Sequence, residues 1–164
     1  MNVARSPGAL APGSRAAAIG VFDGVHRGHR RLVEAAIAAA ETGGLRPTVV
    51  TFASDAPGSG GDEPARITTL ERRLELLAEL GVADALVVPF DAELASLAPV
   101  AFAERLLRAI GVETVAVGER FRFGFEGGGD PALLERLGFR TTIVPAVEGV
   151  SSEAIRGAVE AGEI

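Results

Sequence analysis

Apolar and polar positions follow two rhythms along this chain, short continuous apolar runs and longer stretches at helical spacing, which alternate from residue 16 to residue 161. Residues 16–22, AAAIGVF, are apolar throughout and read as a strand buried on both faces. Over 28–41, Leu32, Val33 and the alanines after them fall at helical spacing, and Gly43-Gly44 supplies the stop. Residues 48–52 predict a second strand, rich in β-branched side chains. The polar stretch ASDAPGSGGDEPA that follows reads as a mobile loop, with Asp62 and Glu63 as solvated charges. Leu70, Leu74, Leu77 and Leu80 space a helix over 69–80, closed by Gly81, and these leucines are read as core. The alternation then repeats: strand 84–88, helix 99–110, strand 113–117, a short helix 131–137, strand 140–144 and a last helix 152–161. Asp91 and Glu93 read as solvated loop charges between two of these elements.

Strands interleaved with helices of this length predict an α/β fold: a Rossmann-like parallel five-stranded sheet, in the order 3-2-1-4-5, with helices on both faces. Such sheets bind ligands at the carboxyl ends of their strands, where the strand order reverses. Here that crevice falls between the first and fourth strands, and the two loops richest in candidate chemistry follow those two strands.

Composition narrows the class. A chain of 164 residues, 48% of them hydrophobic, is expected to form one domain with a sizeable core. Residues 1–15 show no periodic pattern and no continuous apolar stretch of the secretory kind, so they are expected to be a flexible N-terminal segment. No apolar run approaches the length of a membrane span, and the chain lacks cysteine, so a cytoplasmic protein without disulfides or thiol chemistry is expected. The net charge of −6 argues against nonspecific binding to nucleic acid. All 16 basic side chains are arginines, which removes a Walker A lysine, a Schiff base and any lysine general base. Phosphate contacts must then come from arginine, backbone N–H groups and the histidines. Nothing in the pattern fixes an oligomeric state.

The segment GVFDGVHRGH, residues 20–29, concentrates the candidate chemistry. It joins the end of the first strand to the start of the first helix, and it carries both histidines of the chain, His26 and His29, with Gly28 between them. A helix start offers free N–H groups and the positive end of the dipole to an anion. Imidazoles three positions apart lie on one face and can donate to the same phosphate oxygens. Gly24 and Gly28 would allow close approach of backbone and phosphate, and Asp23 could order the turn by accepting from N–H groups. Near the C-terminus, Ser151 and Ser152 stand where a helix cap belongs, with Arg156 one turn further on the same face. In the glycine-rich loop after the fourth strand, Phe121 and Phe123 share a face, either as core plugs or as pocket walls.

Four segments, in this order, resemble the prokaryotic FAD synthetase family: GVFDGVHRGH, ITTLERRLELLAELGVADALVVPFD, VGERFRFGFEGGGD and VPAVEGVSSEAIR. The adenylyltransferase domain of that family is an HxGH nucleotidyltransferase. The resemblance implies transfer of AMP from ATP to FMN, giving FAD and pyrophosphate, with Mg2+ arriving with ATP. It implies catalytic roles for His26, His29 and Arg156. It implies ATP contacts from Gly20, Val21, Phe22, Asp23, Gly24, Gly28, Gly118, Ser151 and Ser152, and flavin contacts from Thr51, Phe52, Arg120, Phe121 and Phe123. Family members normally carry a C-terminal riboflavin kinase barrel; residues 1–164 are read as a single adenylyltransferase domain without it, so riboflavin phosphorylation is not expected of them. Three positions depart from the family pattern. TFASDAPGSGG keeps Thr51 and Phe52 but has no histidine, Arg120 replaces the usual Asp or Asn, and Glu153 replaces a threonine and is expected to face solvent. Two other readings stay open from the residues: nucleotidyl transfer to a different phosphorylated acceptor, and a nucleotide-binding module with weak catalysis.

Overall fold

A computed structural model describes residues 1–53 and 66–163 of the chain. Its centre is a six-stranded, all-parallel sheet built from β1 (Asn2–Ala4), β2 (Arg15–Ile19), β3 (Arg46–Ala53), β4 (Asp84–Pro89), β5 (Val112–Gly118) and β6 (Arg140–Val144), in the order β1-β4-β3-β2-β5-β6. Without β1 this is the expected order, although the first predicted strand, 16–22, ends at Ile19, where the chain turns. The expectation for residues 1–15 is corrected. Asn2–Ala4 pairs with Asp84, Ala85 and Leu86, Ala4 is buried, and Arg15 already belongs to β2. The physical reason is the open edge of β4, whose backbone groups need partners that a three-residue strand supplies.

The strands are buried on both faces because successive side chains point to opposite sides. Ala17 and Ile19 of β2 enter one core with Val50, Val115, Val117, Phe102, Leu107 and Leu134, while Ala18 enters the other with Val49, Ala116, Phe22, Val33 and Leu77. The second core is closed by α1 (Arg27–Gly43), which buries Leu32, Val33, Ala36 and Ala40 along one stripe. Gly44 ends α1 in the left-handed conformation, at φ 63°, with its N–H on the Ala40 carbonyl. Against the same face lies α2 (Leu70–Glu79), capped by the Thr69 hydroxyl. Of its leucines only Leu77 is fully buried, and Arg73, three residues after Leu70 and four before Leu77 on the same face, is fully buried as well.

The other face is covered by α3 (Ala92–Ser96), by α4 (Pro99–Phe102), which runs on through a π turn and a 3-10 turn to Ile110, and by α5 (Pro131–Arg136). Short α3 escapes the hydrophobic pattern. Asp91 is exposed, as expected, but it is also the N-cap of this helix, accepting from the Leu94 N–H at 2.8 Å. Glu93 is exposed, as expected. The last element, α6 (Ser152–Glu160), crosses over the carboxyl ends of the strands to reach the turn after β2. The stretch 54–65, with Asp62 and Glu63, lies outside the described residues. No helix among the described residues is long and apolar enough to cross a membrane.

Candidate active site

Strand order reverses between β2 and β5, and the chain opens there into two adjoining cavities. Gly20, just past β2, with Arg120 and Phe121, past β5, line both. The smaller, about 280 Å³, is walled by His26, Gly28, His29, Gly118 and Ser151. The larger, about 690 Å³, is walled by Val21, Phe52, Phe90, Phe102 and Phe123.

After Ile19 the backbone turns sharply, with Phe22 (φ 56°) and Val25 (φ 42°) in left-handed conformations that side chains of this size rarely adopt. The turn is held from outside. Asp23 is buried, and its carboxylate accepts from the N–H groups of Ile67 (3.1 Å) and Thr68 (3.0 Å), the Thr68 hydroxyl (3.2 Å) and the Arg156 guanidinium (3.2 Å). The Thr68 hydroxyl also accepts from the Gly24 N–H, and the Ser152 hydroxyl donates to the Asp23 carbonyl. Asp23 thus orders three segments distant in sequence, whereas the sequence suggests a local turn. Burial alone would raise the Asp23 pKa, but the Ile67 and Thr68 donors and the nearby Arg73 charge outweigh it and hold the carboxyl below its ordinary value.

The structure brings His26 and His29 face to face, ring centroids 3.6 Å apart at 18°. His26 is the N-cap of α1, its Nδ1 accepting from the N–H groups of Gly28 (3.2 Å) and His29 (3.3 Å), so its proton sits on Nε2. This corrects the picture of a helix start with those two N–H groups free for an anion. A Cβ at Gly28 would lie 3.1 Å from the His26 ring, closer than side chains ordinarily pack, so glycine here lets the ring keep its place over the helix start. His29 packs edge-on against Phe22, and its Nδ1 is buried without a hydrogen-bond partner among the described residues. Burial, with His26 and Arg73 nearby, pushes the His29 pKa down to about 3 against the pull of Asp23, and burial also lowers His26. Both imidazoles are therefore neutral near pH 7 and act there as hydrogen-bonding groups.

Other expected site residues divide by position. Phe22 and Thr51 are fully buried, and their residues line neither cavity. Phe22 backs His29, and the Thr51 hydroxyl donates to the Val21 carbonyl at 3.0 Å. Val21 belongs to the larger cavity and not to the histidine side. Ser151, rather than Ser152, caps α6, accepting from the Ala154 N–H. Asp23, Gly24, Ser152 and Arg156 line neither cavity and form the clasp that holds the turn, and Glu153 is exposed, as expected. Phe123 is buried and stacks at 5.6 Å on the half-buried Phe121, so the two rings serve both as core plug and as wall. Ile67, Thr68 and Arg73 were not legible as site supports; the Thr-Thr pair before α2 looks like a cap signal only.

Compared with known proteins, residues 10–156 match the family described as FAD synthetase. A Listeria monocytogenes protein described as bifunctional riboflavin kinase/FMN adenylyltransferase is 34% identical over 90% of this chain, and one of the same name from Escherichia coli is 37% identical over 86%. The chain spans about half the length of these two relatives. A Geobacillus thermodenitrificans protein that carries the name provisionally is 38% identical over 95% of this chain and 88% of its own length. A crystal structure described as a macrolide-efflux protein from Streptococcus pneumoniae superposes on 99% of this chain and 60% of its own, with a TM-score of 0.85 at 26% identity. A pantothenate synthetase from Thermus thermophilus, at 19% identity and a TM-score of 0.58, covers 94% of this chain and 67% of its own and shares the fold.

Proposed function

The chain belongs to the FAD synthetase family, and from that premise we propose that it is an FMN adenylyltransferase, moving AMP from ATP to FMN with release of pyrophosphate. The observation that carries this reading is the pair of cavities meeting at Gly20, Arg120 and Phe121, one holding the histidines at a helix start and the other walled by aromatic rings. ATP occupies the histidine side and the flavin ring system the aromatic side, so the FMN phosphate and the α-phosphate meet at the junction. An oxygen of the FMN phosphate forms the bond to the α-phosphorus. The bond from that phosphorus to the β-phosphate oxygen breaks, and pyrophosphate leaves with the electron pair.

The protein supplies no nucleophile in this scheme; it positions the reactants and stabilises charge. His26 donates from Nε2 to a phosphate oxygen, and His29, held by the ring stack and by Phe22, lies beside it in the same wall. Gly118 and Gly20 bring backbone close to the nucleotide, while Phe52, Phe121 and Phe123 bound the flavin. Asp23 keeps the histidine turn in place and holds Arg156 at the edge of the site, within reach of the outer phosphates when it leaves the carboxylate. Magnesium is carried in as the ATP complex, bound by phosphate oxygens and water. Among the described residues no three His, Asp or Glu side chains cluster as a metal site, and both Asp23 oxygens already accept from protein donors. We place this chemistry in the cytoplasm.

The test is pyrophosphate release from MgATP with and without FMN, with the flavin product identified by chromatography. FMN-dependent release matched by FAD is expected. Release with other phosphorylated acceptors and none with FMN would assign the chain a different acceptor.

A further inference from the structure

Arg120 stands at the junction itself. It lines both cavities, whereas Arg66 and Arg122, the other arginines of the larger cavity, line the smaller one at no point. Its side chain is exposed and makes no hydrogen bond or ion pair among the described residues, so its guanidinium is uncommitted. Nearby cations are engaged: Arg122 lies 3.5 Å from Asp130, and Arg156 is held on Asp23. The chain has no lysine, and burial keeps both histidines neutral near pH 7. A site that brings two phosphorylated substrates together therefore has, among its described residues, one uncommitted arginine that lines both of its halves, at the position where the family pattern has Asp or Asn.

We propose that the Arg120 guanidinium receives the phosphate of the acceptor and the α-phosphate of ATP at the junction, and so selects a phosphorylated flavin over an unphosphorylated one. The proposal rests on the FMN reading above and adds the residue that reads the acceptor's phosphate. A planar fork with several N–H donors suits this task, because it can bridge oxygens of two phosphates without a change of protonation. During transfer it gives no proton and takes none. It offsets repulsion between the entering phosphate oxygen and the oxygens on the α-phosphorus as the new P–O bond forms and the bond to pyrophosphate breaks.

The experiment compares the wild-type chain, Arg120→Asn and Arg120→Lys for binding of FMN, riboflavin and ATP, and for FAD formation. The side chain is exposed and unpartnered, so all three proteins should melt at the same temperature. Wild type should bind FMN over riboflavin by roughly 10- to 100-fold, the size of a charge-assisted hydrogen bond. Arg120→Asn should bring the two flavins to within about threefold and lower kcat with FMN by a similar factor, while Arg120→Lys should restore part of both. Wild type showing no FMN preference, or Arg120→Asn keeping it, would overturn the proposal while FAD formation left the FMN reading intact. Wild type that binds ATP but neither flavin would overturn that reading and the proposal together.

Discussion

Asp84 and Asp23 are both almost wholly buried and both paired with arginine, yet they sit at opposite ends of the sheet and join different kinds of parts. Asp84 opens β4 at the amino ends of the strands. It accepts from Arg15 (3.1 Å), from Arg46 (2.8 and 2.9 Å) and from the Asn2 amide (2.9 Å), which open β2, β3 and β1. Arg15 also donates to the carbonyls of Ala11, Gly13 and Ile110, so its buried charge is fully surrounded by acceptors. Every partner of Asp84 is thus a strand start, and Asp84 lines neither cavity of the site. Asp23, at the carboxyl ends, is held by the 67–68 segment and by α6, elements distant from it in sequence that border the site. The same chemistry fixes the frame at one end and tunes the geometry of the site at the other.

The sharpest way to break this comparison is Asp84→Ala. Arg15 would be left buried without its counter-charge, which costs about 3–5 kcal/mol. Chemical denaturation should show that loss, while kcat of the protein that remains folded should stay within about twofold of wild type. A large fall in kcat of the folded fraction would mean that the frame and the site are not separable.

His29→Ala should do the opposite, lowering adenylyl transfer by roughly 10²–10³-fold, the cost of one preorganised donor. Its effect on stability depends on pH, and the sign follows from linkage. The folded pKa of about 3 lies below the unfolded value of 6.5, so the wild-type stability is complete above pH 6.5 and falls as the pH drops from there towards 3, because the unfolded chain takes up the proton first. The slope reaches at most about 1.4 kcal/mol per pH unit for one proton. His29→Ala should flatten this part of the curve. Asp84 and Asp23, both depressed, hold their contribution above roughly pH 4 and lose it below, so the acid limb under pH 4 should survive in the variant. Urea melts at a series of pH values would separate the two limbs, and an unchanged slope between pH 6.5 and 4 would remove His29 as its source.

The order of five strands and the crevice were legible in the sequence, because apolar runs and glycine turns carry them directly. Strand β1 was not, since three residues are too few to show a period and their pairing is decided by the open edge of β4, more than 80 residues away in sequence. The histidine pair was legible as a site, but its internal arrangement was not: histidine is an uncommon N-cap, and only the fold shows His26 taking up the N–H groups of Gly28 and His29. Asp23 was legible as a turn acceptor, while its donors at Ile67, Thr68 and Arg156 lie 44 to 133 residues away. The same holds for Arg15 and Arg73, charged residues whose burial depends on partners that no local pattern announces.

The central claim, that the carboxylate at the strand ends serves the site and the one at the strand starts serves the frame, is tested most directly by measuring pyrophosphate release and unfolding free energy on one preparation of Asp23→Asn. We predict a loss of about 1.5–3 kcal/mol, the scale of a charged hydrogen bond, together with a fall of roughly tenfold or more in kcat/KM for ATP of the folded protein. A variant that is destabilised as strongly as Asp84→Ala, yet turns over normally when folded, would contradict it.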